Sequence, residues 1–145
     1  VSARYLEWGR RNMSLNGIDP ARHRFARMDT REFLDYARRK KLAYDLIILD
    51  PPSFGSGSKK KGVRAWSSQS DYAPLVAQAA GVLSPRGVLF ASTNTRELCR
   101  PGRLAHEVEK GLTRAGRTPR WLEVPGAPPD FAGEEGRFAC VACGC

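Results

Sequence analysis

A chain of 145 residues is long enough for one domain or the greater part of one. Its apolar fraction of 41% can support a core, and 24 Lys and Arg against 15 Asp and Glu leave a net charge of +9. No apolar run reaches 18 residues and no charged-then-apolar leader opens the chain, so neither a membrane-spanning helix nor a signal peptide is expected. The basic excess fits an anionic partner, nucleic acid before a membrane surface, although a solvated arginine-rich surface has the same composition.

In chain order, residues 2–16 predict a helix, with Ser2 at the cap, Tyr5, Leu6, Met13 and Leu15 forming an apolar stripe, and Gly17 as the stop. HRFARM, 23–28, reads as a short strand ending at Asp29. Thr30 is placed to cap a second helix, with Phe33, Leu34 and Ala37 facing inward and Arg38–Lys41 near its C-terminal dipole. YDLIILD, 44–50, is a continuous apolar run of the kind covered on both faces in a sheet. A loop of about eighteen residues follows, then a helix over 70–83 and a second buried strand, GVLFAST, 87–93. Residues 102–115 predict a further helix, and WLEV (121–124) and RFACVA (137–142) close the chain as strands around a Pro/Gly-rich excursion. Helices alternating with buried strands predict an α/β layered fold, with a mostly parallel sheet and no interdomain linker.

Four cysteines occur, Cys99 and the terminal Cys140, Cys143 and Cys145. Three thiols without a fourth ligand do not make a tetrahedral zinc site, and His23 and His106 are isolated, so no metal is expected. Cysteine used as a small apolar residue of the last strand fits a reducing, cytoplasmic setting.

Ligands of open α/β sheets bind at the carboxyl ends of the strands. That draws attention to Asp29, to Asp50–Phe54 and to Ser92–Arg96. A carboxylate at the end of a buried strand can accept hydrogen bonds from a ribose, an adenine amine or a substrate amine. Pro51 and Pro52 stiffen the backbone, lack N–H groups and offer carbonyls as acceptors, and Phe54 has a ring that could stack on a base. Taken alone, this stretch equally fits a strand-to-loop turn with structural prolines.

IILDPPSFGSGSK, then QSDY, then a strand ending in STNTRE, resembles the S-adenosylmethionine-dependent methyltransferases of large-subunit ribosomal RNA, most closely the guanine-N7 branch. SARYLEWGRRNMSLNG is similar to that family's helix after the second strand, HRFARMDTREFL to its third strand and adenine-side acidic position, and PDF at 129–131 recurs near its end. The resemblance covers nearly the whole chain. It implies a Rossmann-like class I methyltransferase fold with helices on both faces of the sheet, S-adenosylmethionine as cofactor and ribosomal RNA as partner. By position, Asp29 would bind the adenine amine with Thr30 beside it, Asp50 and Pro51 would line the methyl-transfer site, Pro52 would fix the turn and Phe54 would meet the target base. Asn94 and Arg96 stand where the family has similar polar residues facing RNA. The family's opening strand, glycine-rich turn and second strand have no counterpart here. Residues 1–145 are therefore expected to be the C-terminal greater part of a single domain, with an open edge beside 44–49 and no direct pairing between 23–28 and 44–49.

Chemistry separates the family's branches. Cytosine C5 is a poor nucleophile and needs a cysteine thiolate to attack the ring first. This chain has Ser53 after the prolines and Ser92-Thr93-Asn94 at the following strand end, which disfavours cytosine C5. Exocyclic-amine methylation usually places an aromatic directly after the two prolines, whereas here Ser53 intervenes before Phe54. Guanine N7 has a lone pair and no proton, so alignment and exclusion of water suffice. Methylation of another RNA position, guanine N2 or the disfavoured cytosine C5, or an RNA-binding remnant without activity, are the alternatives. Lys59, Lys60, Lys61 and Arg64, set among glycine and serine, are expected to grip phosphates, with Trp66 adding a stacking surface.

Overall fold

The structure is a computed structural model that describes residues 2–57, 64–126 and 136–145. It contains α1 (Ala3–Leu15), a 3-10 turn (Pro20–Arg22), α2 (Thr30–Arg39), β1 (Tyr44–Leu49), β2 (Phe54–Gly55), β3 (Trp66–Ser67), α3 (Ser68–Ala80), β4 (Leu83–Thr93), α4 (Arg103–Arg114), β5 (Trp121–Glu123) and β6 (Ala139–Gly144).

The helix boundaries follow local chemistry. α1 ends in a left-handed Gly17 at φ 71°, where the Gly17 and Ile18 amides return to the carbonyls of Ser14 and Met13. α2 starts one residue earlier than the sequence suggests. Asp29, not Thr30, is its cap, because the Asp29 carboxylate accepts the Arg31 amide at 2.9 Å.

The main sheet has the order β1-β4-β6-β5. β1 and β4 are parallel, while β4–β6 and β6–β5 are antiparallel, so the sheet is mixed. The first part of β4 is irregular against β1, the register moving from Tyr44↔Leu83 to Leu46↔Val88, and the regular ladder runs from Val88 to Ala91, inside the predicted 87–93. Leu49 and Ala91 are partners at the end of this ladder, which brings Asp50 and Ser92 side by side.

One face of the sheet, through Leu49, Leu89, Ala91, Val141 and Cys143, forms the core with Leu34 and Ala37 of α2, Tyr72, Leu75 and Val76 of α3, and Leu104, Val108 and Leu112 of α4. α3 and α4 approach closely at Gly111, where an added Cβ would lie 2.5 Å from the Val76 Cβ. On the other face Leu46 and Ile48 are 57% and 64% exposed. Among the described residues no strand pairs with the outer edge of β1.

Residues 23–28 do not form the expected strand. A strand persists only where a neighbour completes its ladder, and none lies beside this segment among the described residues. Phe25 packs instead on α1, with the Arg10 guanidinium 4.7 Å from its ring centre and Gly9 beside it. The long loop after β1 is also not wholly irregular. Its two ends pair as the antiparallel ribbon β2–β3.

Candidate cofactor and methyl-transfer cleft

β1 delivers Asp50 and Pro51 to the carboxyl end of the sheet, and the N-terminus of α2 delivers Asp29 and Thr30. Together with Pro52, Arg64, Trp66 and Arg31 they line one cleft of about 510 Å³. Most of the residues singled out around Asp29 and Asp50 in the sequence therefore meet in one place.

The two carboxylates are held differently. Arg31 donates Nε to Asp29 Oδ1 and Nη2 to Oδ2, each at 3.0 Å, and its own amide caps onto Oδ1. These hydrogen bonds from the Arg31 side chain hold the Asp29 carboxyl below its ordinary value, against the opposing effect of burial. Arg31 Nη2 also donates to the Arg64 carbonyl at 3.0 Å. At the other end, Ser92 Oγ donates to Asp50 Oδ1 at 2.7 Å. Asp50 Oδ2 accepts no hydrogen bond from any described residue.

The two prolines divide the acceptor role. The Pro52 carbonyl accepts Trp66 Nε1–H at 2.7 Å and the Ser68 hydroxyl at 2.9 Å, so it fixes the hairpin and is not an open acceptor. The Pro51 carbonyl has no partner among the described residues. Arg64, expected on RNA phosphates, forms an ion pair with Asp71, whose other oxygen accepts the Ser67 amide at 2.9 Å. Its side chain is nevertheless 75% exposed.

Phe54 is 79% exposed and does not line the cleft; Trp66 is the aromatic that does. Asn94 and Arg96 are exposed beyond β4, outside the cleft lining, and Ser53 Oγ donates to Asn94 Oδ1 at 2.9 Å. Lys59, Lys60 and Lys61, and the PDF at 129–131, lie outside the described residues. Sequence reasoning missed Arg31 and Tyr72, and marked Ser92 only as part of the strand end Ser92–Arg96, not as the partner of Asp50. The one local signal was the position of Arg31 two residues past a capping aspartate.

All four cysteines are buried and free. Burial pushes the Cys99 and Cys140 thiols up, and burial together with the neighbouring Cys145 pushes Cys143 up to about 12. Cys99 lies near the end of β4, its Sγ 3.6 Å from the Thr93 carbonyl. No group of three His, Cys, Asp or Glu among the described residues is arranged to hold a metal.

No family model matches the chain. The crystal structure of SMU.776, a methyltransferase complexed with SAH, superposes with a TM-score of 0.83 at 28% identity, covering 99% of this chain and 37% of that one. The chain has a Rossmann-like methyltransferase fold. Within that methyltransferase fold, Asp29, Asp50 and the prolines occupy strand ends and helix starts, where an α/β sheet binds its ligand. The chain is 38% identical over 96 residues to ribosomal RNA large subunit methyltransferase K of Neisseria meningitidis serogroup B, covering 66% of this chain and 27% of the relative. It is 40% identical over 96 residues to ribosomal RNA large subunit methyltransferase K/L of Pseudoalteromonas translucida, covering 66% of this chain and 13% of the relative. The chain thus matches about a quarter or less of the length of these curated relatives.

Proposed function

We propose that this chain is part of a methyltransferase that transfers a methyl group from S-adenosylmethionine to guanine N7 of large-subunit ribosomal RNA. The observation that carries the reading is the cleft with a carboxylate at each end. Asp29 offers the remaining acceptor capacity of Oδ2 to an adenine amine, and Asp50 offers Oδ2 to the methyl-transfer end. The relatives' names supply ribosomal RNA, and the basic balance of the chain fits it.

The bound cofactor supplies a methyl group made electrophilic by the adjacent sulfonium. Guanine N7 carries a lone pair and no proton, so no residue has to remove one. The task of the chain is alignment: Asp50 and the Pro51 carbonyl form an acceptor edge, the Pro52 carbonyl holds the hairpin closed, and Trp66 walls the cleft against water. The raised thiols support a mechanism without a cysteine nucleophile. Asn94, Arg96 and Lys59–Lys61 are assigned to RNA contact, and free buried thiols fit a reducing, cytoplasmic setting.

A second reading, methylation at guanine N2, draws support from the same two acceptors, since Asp50 Oδ2 and the Pro51 carbonyl suit the two N–H groups of an amine. The deciding experiment is transfer of labelled methyl to ribosomal RNA by the protein expressed from its full gene, followed by borohydride and aniline treatment. Strand scission at the labelled guanosine identifies N7; label without scission rejects N7.

A further inference from the structure

Asp50 sits at the solvent-open end of β1, where an aspartate side chain has several rotamers available. One residue restricts it. Ser92 is 4% exposed on β4, and its hydroxyl donates to Asp50 Oδ1 at 2.7 Å. The alternative acceptor, the Leu49 carbonyl, is 3.4 Å away, so the single hydroxyl proton belongs to the carboxylate. Ser92 is itself anchored. Its carbonyl accepts the hydroxyl of Tyr72, a fully buried α3 side chain, at 2.8 Å.

We propose that Ser92 is the positioning residue for methyl transfer: held by Tyr72, it engages one oxygen of Asp50 and thereby points the other into the cleft. This rests on the methyltransferase reading above. The chain of hydrogen bonds runs from α3 through β4 to β1, so the orientation of Asp50 is set by buried groups and does not depend on bound RNA. Removing the hydroxyl leaves Asp50 Oδ1 open to water, so the fold is little affected while the alignment is lost.

The test compares Ser92→Thr with Ser92→Val in the protein expressed from its full gene. The two replacements have the same shape and differ only in the hydroxyl, so any packing strain at this buried position is common to both. Steady-state methyl transfer to ribosomal RNA is measured for both and for the parent. The expected result is a kcat about 10- to 100-fold lower for Ser92→Val than for Ser92→Thr, with KM for S-adenosylmethionine equal within about twofold. Ser92→Ala should resemble Ser92→Val in kcat while keeping the parental melting temperature. Equal kcat for the Thr and Val variants overturns the role of Ser92 and leaves the methyltransferase reading standing. A parent protein that transfers no methyl group to any ribosomal RNA overturns that reading, and this role with it.

Discussion

Arg31 holds both carboxylate oxygens of Asp29, by Nε on Oδ1 and Nη2 on Oδ2, while the Arg31 amide caps α2 onto the same Oδ1. One aspartate thus starts a helix, pairs with an arginine and faces the cleft. The pair also reaches the far side of the hairpin loop through the bond from Arg31 to the Arg64 carbonyl.

The depressed Asp29 carboxyl carries a pH signature. A carboxyl lowered in the folded state contributes stability that is present above its unfolded value near 4 and is lost as pH falls through the lower folded value. Replacing Arg31 with Ala should cost about 1 kcal/mol at pH 7. Urea melts at pH 7 and at pH 2 would check this. The gap between parent and variant should close in acid, and a gap that persists would assign the loss to packing instead.

Asp50→Ala is expected to abolish methyl transfer while RNA affinity stays nearly unchanged, because Asp50 aligns the reacting groups and, as an anion, holds no phosphate. A tritiated-methyl assay and a filter-binding titration on the same preparation separate the two effects. Equal activity of variant and parent would remove Asp50 from the site.

Replacing Lys59, Lys60 and Lys61 with Ala should weaken RNA binding and flatten its dependence on salt. Each phosphate that a lysine no longer neutralises lowers the slope of log affinity against log salt by roughly 0.7 to 0.9. A slope that does not change would show that these lysines touch no phosphate.

Gly111→Ala should destabilise the fold by roughly 1–3 kcal/mol, since the new methyl meets Val76 Cβ at 2.5 Å and the Ala73 carbonyl at 2.7 Å. A lowered melting temperature by differential scanning fluorimetry is the expected readout; an unchanged one would mean that α3 and α4 can separate without cost.

The buried thiols predict selective inertness. With Cys143 pushed up to about 12, its thiolate is scarce at pH 8, and it should resist iodoacetamide until the protein is unfolded in urea. Rapid native alkylation at Cys143, located by mass spectrometry, would contradict its burial.

The strand ends were legible in the sequence because their signals are local. YDLIIL is apolar with one interruption, Asp45, and the carboxylate and two prolines follow it directly, so Asp50 had to stand where a strand leaves the sheet. Gly17 ended α1 for an equally local reason, its positive φ. The strand expected at 23–28 failed because a strand is not a local object. HRFARM has a suitable composition, but no ladder lies beside it among the described residues, and Phe25 found an arginine and a glycine on α1 instead.

The sequence by itself determined the layered class of the fold, the position of Asp50 at a strand end and the basic character of the chain, since periodicity, strand-end chemistry and net charge do not depend on distant partners. Asp29 reaches the cleft as the cap of α2, not as the end of the strand the sequence suggested. Only the tertiary structure decided how those groups are used. Arg31 claims Asp29 beside it, Ser92 turns Asp50 from 42 residues away, and Trp66 and Ser68 occupy the Pro52 carbonyl that the sequence left open. Hydrogen bonds are directional and short, so a partner is set by which groups are brought within about 3 Å: for Ser92 and Asp50 by the register of β1 against β4, and for Trp66 and Pro52 by the pairing of β2 with β3.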